Sequence, residues 1–456
     1  MSGRLAMLSF VAAVWCGIAM PRTPPTSGLF DAANAVELTV TAPLSQLFAH
    51  DAEKDDSVHG SLSYRNPETG ASVVLRDVRI SVRGHTSRRE SECTFPKLKI
   101  AVPDDETAPP PFAGVRNFKI GTHCGEAPDD TLTPTFGRLA NEKSPLREAL
   151  AYRILDAAGV PTLRTRPARI TYVDRGPGTG RGLVRNALLL EDEDAARARI
   201  HAVADVPMEA FGNVRRRGAA ADAVRIAFGE AMIGNFDWCL RFEPGDRYRC
   251  DDYKPLWNVL AFARADGRTA LLASDFDLAG IVVGRHPWFS KVYNAGFLPS
   301  RSRIAIEVMS QVQRTRSLFD RGVLDAERHR LAAHERDVFA AIDAANVDPP
   351  GRELARAYVT AFFHDIASDG EFYRPVVAKL NEQIYDDSGR RHDACGPQDA
   401  IPVGTPVNEL QHTASMTEVL VLDALWRWSP PHTCNAVQSG PVWIASDAIS
   451  RAYPTR

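Results

Sequence analysis

The sequence predicts an α+β fold in which strands come first, helices second, and a small β module last. Three observations carry this. Apolar alternation dominates residues 36–125, helical apolar spacing dominates residues 195–386, and short strand-like runs return after residue 399. The chain has 456 residues, 54 basic and 57 acidic side chains and a net charge of −3. With 44% hydrophobic and 24% charged residues it has the composition of a soluble globular protein of about three domains. That excludes a disordered chain, a collagen-like fibre and a polytopic membrane protein. The near-neutral balance argues against a dedicated nucleic-acid binder, which carries a basic excess.

Residues 1–35 read as a signal peptide or N-terminal anchor: Arg4, an apolar run from Leu5 to Met20, then prolines and the small-residue site Ala33-Asn34-Ala35. The run is slightly short for a spanning helix. Setting Cys16 aside leaves six cysteines, an even number. Sequential pairing of Cys93 with Cys124, Cys239 with Cys250 and Cys395 with Cys434 closes three local loops, although sequence alone does not fix connectivity. Zinc is the competing reading, with His123 beside Cys124, but no C-x-x-C pair occurs. Disulfides place the chain in an oxidising compartment, periplasmic or extracellular.

Residues 36–192 form the β-rich part. Strands are expected at 36–40, 71–82, 96–102, 117–121, 169–173 and 183–190. One helix interrupts them, opening at Ser144-Pro145 with Ser144 as N-cap and running through Leu146, Leu150, Ile154 and Leu155 to Gly159. The glycine-rich stretch 176–182 lacks the G-K-[ST] end of a phosphate loop and reads as a hairpin turn. Residues 193–386 are mainly helical, with an apolar helix over 219–233, a β-pair at 257–262 and 269–273, and at least three amphipathic helices over 302–386. Arg215-Arg216-Arg217 reads as a solvated lead-in to a helix. A polar linker at 387–398 leads to the last module, 399–456, with strand-like runs at 401–407, 418–422, 424–426 and 440–444.

Three clusters can carry chemistry. The first is Arg83-Gly84-His85-Thr86-Ser87 with Lys97 and Lys99. The second is Leu146 to Tyr152, containing Glu148. The third is Gly234-Asn235-Phe236-Asp237-Trp238 with Trp257-Asn258 and Ser274-Asp275-Phe276-Asp277. In this order, over roughly residues 75–285, they resemble the CotH-like kinase family. The resemblance is closer to a bacterial group with RGH, C-x-FP, ARITYVD and GN-x-DW motifs. The C-terminal segment resembles bacterial SH3-like domains. The resemblance implies a two-lobed protein-kinase-like fold, with a β-rich N-lobe and a helical C-lobe, followed by an SH3-like β-barrel.

It also implies Mg²⁺ and ATP as cofactors and a protein hydroxyl as acceptor. Phosphoryl transfer needs a cation for the triphosphate and hard oxygen ligands for the metal. Gly84 would approach phosphate, and Lys97 or Lys99, on the same side of a strand, would reach it. Glu148 would hold that lysine, and Glu191 would mark the hinge. Asp237 would be the base, and Asn258, Asp275 and Asp277 the metal ligands. Asp237 and Asn258 stand 21 residues apart, so the loop between them must project away. Each residue also has a plainer reading: Gly84 as a turn, the lysines as a solvated edge, Glu148 as a favourable charge at a helix start. Asp275 and Asp277 resist one, because they stand between Leu271-Leu272-Ala273 and Leu278-Ala279. ATP is scarce outside the cytoplasm, so the alternative is a catalytically silent kinase-like scaffold that binds a cell-envelope protein or glycan.

Overall fold

The computed structural model describes residues 28–48, 56–103, 108–176, 182–207, 220–240, 255–284, 303–316, 319–379, 382–386, 388–391, 400–401, 405–421 and 441–450. Most of the expected leader, the basic run 215–217 and Cys250, Cys395 and Cys434 lie outside them. The architecture is α+β. Seven strands close into a barrel: β1 (Val36–Ala42), β2 (Ser57–Arg65), β3 (Ser72–Val82), β4 (Leu98–Ala101), β5 (Asn117–Gly121), β6 (Thr165–Asp174) and β7 (Gly182–Glu191). Their spatial order is β1-β2-β3-β4-β5-β7-β6. All neighbours are antiparallel except β1 and β6, whose parallel pairing from Val36–Ala168 to Ala42–Asp174 closes the barrel. Closure pairs each of the seven strands with a neighbour on both sides, so the barrel has no terminal strand. Sequence alternation finds six of these strands; β2 (SVHGSLSYR) escapes it because glycine, serine and histidine interrupt the pattern and a bulge shifts its register after Gly60.

Leu38, Val40, Leu62, Ile80, Leu98, Ile100, Phe118, Ile120, Ile170 and Leu189 fill the barrel. In β4 the alternation sends Leu98 and Ile100 inward and Lys99 outward. In β7, Ala187 and Leu189 face the barrel core while Leu188 and Leu190 enter a second core, which explains the unbroken run Ala187-Leu188-Leu189-Leu190. A disulfide joins Cys93 to Cys124, so Cys124 is no thiolate for zinc. His123 instead bonds Glu126 at 2.9 Å. Cys239 is also disulfide-bonded.

The second core is built around helices. After α1 (Leu44–Leu47), α2 (Ser144–Ala157) contributes Leu150, Ala151, Tyr152, Ile154 and Leu155 to this core and not to the barrel. Ser144 is its first helical residue, not its cap; Lys143 takes the cap position and Asn141 Oδ1 accepts the Lys143 N–H at 3.0 Å. Then come α3 (Glu193–Arg199), β8 (Ala202–Asp205), α4 (Ala220–Met232), β9 (Cys239–Leu240), β10 (Leu256–Trp257), β11 (Val259–Arg264), β12 (Thr269–Ala273) and α5 (Gly280–Val283). Helices α6 (Arg303–Arg316), α7 (Arg321–Ala333), α8 (Glu335–Asp343), α9 (Pro349–Ile366) and α10 (Asp369–Phe372) complete it. Arg147 ties α2 to this part: its guanidinium donates to Asp348 at the start of α9, to Asp130 and to the Val282 carbonyl.

The C-terminal part holds the meander β14 (Val407–His412), β15 (Met416–Val421) and β16 (Val442–Ala445). A two-stranded sheet joins β13 (Val376–Val377) to β17 (Ile449–Ser450). Val376, Val377, Glu382 and Tyr385 already pair with this module, through β13 and the Glu382–Ile401 and Tyr385–Trp443 bridges, so it begins before the linker expected at 387–398. Among the described residues no helix is long and apolar enough to cross a membrane.

Candidate functional site

The barrel and the helical part meet along the outward face of β4. Lys97, just before that strand, projects there and is 6% exposed. Its ammonium forms ion pairs with Asp275 and, at 2.9 Å, with Asp277. Lys99, two residues on, instead pairs with Asp192 at 2.7 Å, and its cross-strand neighbour Lys119 pairs with Glu193. The two lysines share a face, as alternation requires, but only Lys97 reaches the aspartates.

Asp275 and Asp277 follow β12 and differ in surroundings. The Asp277 side chain is 7% exposed and is clamped between Lys97 and Arg138, whose Nε donates at 2.9 Å. Burial by itself would push the Asp277 carboxyl up; the Lys97 and Arg138 charges outweigh it and hold it well below the usual carboxylate range. Asp275 has φ +64°, its side chain is 36% exposed, and its N–H donates to the Tyr152 hydroxyl of α2 at 3.1 Å. A left-handed aspartate is uncommon and is held here by the packed surroundings. The Tyr152 ring packs on Phe276 at 4.5 Å between centroids.

Glu148, on α2 and 3% exposed, lies within electrostatic reach of Lys97. Burial is the main cause that pushes its carboxyl up to about 7; the Lys97 charge opposes this, and Asp277 and Asp275 add to it. For Lys97, burial lowers the pKa, but Asp275, Asp277 and Glu148 outweigh it and raise it. The folded state therefore holds a proton on Glu148 more tightly than the unfolded chain, where the value is 4.5. Stability should fall as pH rises from 4.5 to about 7, by up to ~1.4 kcal/mol per pH unit. Glu148→Gln removes this proton and should make that slope shallower in urea unfolding across the same range, the part due to buried Glu230 remaining. Parallel curves for the two proteins would contradict the assignment.

Gly84 leaves β3 with φ +95°, and a Cβ there would overlap the Ser87 hydroxyl. The turn it makes brings Thr86 Oγ1 within 2.7 Å of Arg138 Nη2. Arg138 also meets Glu92 at 3.3 Å, so the first cluster leans on Asp277 through this guanidinium. Nothing in the local sequence around Arg138 signals that role.

Asp237 and Asn258 do meet. Strands β9 and β10 pair antiparallel, Cys239 opposite Trp257 and Leu240 opposite Leu256, which brings the ends of the intervening loop together. Asn258 Nδ2 donates to the Asp237 carbonyl and, at 3.2 Å, to its Oδ2; Trp257 Nε1 donates to Oδ1 at 3.2 Å. Asn235 Oδ1 accepts the Asp237 N–H at 3.0 Å, and Asn235 Nδ2 donates to Glu230 at 2.9 Å. Glu230, fully buried, has its carboxyl raised well above the usual range, chiefly by burial. Asn258 has φ +54°, and its carbonyl accepts the Ser274 N–H at 2.9 Å, which couples it to Asp275 in the next position.

Glu191 is placed elsewhere. It ends β7 buried, accepts from Arg199 at 2.8–3.2 Å and from the Arg164 N–H at 3.0 Å, and borders an open cavity of about 430 Å³ together with Asp31, Asn117 and Arg164. Lys99 joins that end through Asp192. The structure thus brings together Lys97, Glu148, Asp275 and Asp277, links Asp237 to Asn258, and sets Lys99 and Glu191 apart. In comparisons with known proteins, no family model, no curated protein and no solved structure matches the chain.

Proposed function

We propose that the chain is an exported CotH-like, kinase-fold protein that binds Mg²⁺-ATP and transfers phosphate to a protein hydroxyl. The observation that carries this reading is the meeting of Lys97, Glu148, Asp275 and Asp277, drawn from strand, helix and loop segments up to 180 residues apart, beside a connected Asp237–Asn258 pair. Long-range convergence of a lysine, carboxylates and an amide fits the needs of phosphoryl transfer: positive charge for phosphate, hard oxygens for a divalent ion. The donor set suits Mg²⁺, because Asp275 offers a carboxylate that solvent reaches.

In this reading Asp275 and Asn258 would hold the metal, and Asp277 is the inner carboxylate that keeps Lys97 in position. Bound Mg²⁺ would supply charge neutralisation for the triphosphate. Lys97 binds phosphate, and Glu148 stands behind it. Asp237, oriented by Trp257 and Asn258, accepts the proton of the acceptor hydroxyl. Gly84 keeps the turn above Asp277 tight enough for Thr86 to reach Arg138.

The second reading, a silent scaffold for an envelope protein or glycan, is favoured by one feature: Lys97 already neutralises both aspartates. Thermal unfolding with and without Mg²⁺-ATP separates the two. Nucleotide at about 100 times its Kd should stabilise the wild type by roughly 2.7 kcal/mol, and Asp275→Ala should abolish the shift. An unmoved melting temperature at millimolar Mg²⁺-ATP would leave the scaffold.

A further inference from the structure

We propose that Glu230 is a positioning residue for Asp237: it holds the Asn235 amide in one orientation and so fixes the turn that presents the Asp237 carboxylate. This rests on the phosphotransfer reading, in which Asp237 accepts the proton of the acceptor hydroxyl. It adds a residue that would touch neither substrate nor metal.

Glu230 stands in the most apolar stretch of α4, between Gly229 and Ala231, and is fully buried. Its Oε1 has no hydrogen-bond partner among the described residues. A buried oxygen without a partner destabilises a fold, and an apolar side chain of similar length would avoid that cost. What the carboxyl does instead is hold Asn235, which is also fully buried. Asn235 meets Glu230 twice. Its N–H donates to the Glu230 carbonyl at 2.8 Å, past the left-handed Gly234 that ends the helix. Its Nδ2 donates to Glu230 Oε2 at 2.9 Å. With Nδ2 committed to the helix, Oδ1 is turned the other way, and it accepts the Asp237 N–H at 3.0 Å. A flipped amide would set Nδ2 against that N–H, donor against donor. The Asp237 carboxylate is held separately, by Trp257 Nε1 and Asn258 Nδ2, each at 3.2 Å. Its backbone and its side chain are therefore fixed from different elements. Burial, helped by the Asp237 charge and opposed by the Asn235 hydrogen bond, raises the Glu230 carboxyl well above its usual range. Glutamine, neutral and of the same shape, reproduces its acceptor oxygen.

The test compares the wild type, Glu230→Gln and Glu230→Met by amide hydrogen exchange around Asp237, by Mg²⁺-ATP affinity and by ATP turnover. Glu230→Met should speed exchange of the Asp237 amide about tenfold or more, the size of one lost hydrogen bond of ordinary strength. It should also slow turnover about tenfold or more while Mg²⁺-ATP affinity stays within about twofold, because a misplaced base acts on the chemical step. Glu230→Gln should restore both readouts to near the wild type. A merely structural glutamate predicts the reverse: methionine, which removes the unpartnered oxygen, would leave exchange and turnover as they were. If Glu230→Met does not fold, Glu230→Ala takes its place, since alanine is the best helix former. Unchanged exchange at Asp237 in the folded variant overturns the positioning role, and so does faster exchange with unchanged turnover. If the wild type neither binds nor turns over Mg²⁺-ATP, the phosphotransfer reading falls, and exchange alone decides whether Glu230 orders the Asp237 turn.

Discussion

Asp277→Ala should lower the unfolding free energy by about 3–5 kcal/mol, the cost of leaving a buried ion pair without one partner. The removed carboxylate is the shared partner of Lys97 and Arg138, and all three side chains are less than a tenth exposed. Asp275→Ala should cost far less, about 1 kcal/mol or below, because its side chain is 36% exposed and Lys97 retains Asp277. Denaturant unfolding of the two variants measures the contrast directly. Equal losses would mean that the aspartates share the structural role, and Asp275 would no longer stand out as the carboxylate available to a ligand.

The second large effect lies at Gly234, which ends the α4 segment with φ +65°, a conformation that glycine adopts without cost. A Cβ at Gly234 would fall within the Tyr358 ring, and one at Gly280 would collide with the Tyr358 hydroxyl. Gly280 N–H donates to the Gly234 carbonyl at 2.9 Å, so the glycines of two separate motifs clamp one buried ring whose hydroxyl donates to Glu307. Gly234→Ala should therefore cost about 3 kcal/mol, roughly 1 from the left-handed backbone and the rest from overpacking. In a Tyr358→Leu background the overpacking is relieved and the cost should fall to about 1 kcal/mol. A double-mutant cycle with additive losses would show that the tyrosine is not the obstacle. Because Asn235 follows Gly234 directly and accepts the Asp237 N–H, the substitution should also weaken any ligand held at Asp237.

Particular residues show how much of this could be read beforehand. The strand over 72–82 and the helix over 220–232 match sequence expectations within a residue or two, because each depends on neighbours two to four positions away. Strand β2 was not legible, since its burial comes from barrel neighbours and not from its own pattern. At the site, the residue types were legible and their grouping was not. Lys97 and Lys99 are indistinguishable by alternation, and only the position of Asp275 after β12 separates them. Arg138 stands in an irregular stretch with no periodic signal, yet it is the second cation on Asp277. Glu191 ends its strand where the sequence puts it, and Arg199 and Arg164 occupy its carboxylate there.

The sequence by itself determined the α+β order, the outward face shared by Lys97 and Lys99, and the aspartates set among apolar residues. Those features follow from backbone periodicity and the cost of burying charge, both of which act locally. Tertiary structure alone decided that β1 and β6 close a barrel, that α2 gives its apolar face to the helical core, and that β9 pairing with β10 carries Asp237 to Asn258. It also decided that Lys97 sits between Asp275 and Asp277. These contacts join residues up to 180 positions apart, and their energy comes from burying one element against another, a quantity no short stretch of sequence contains.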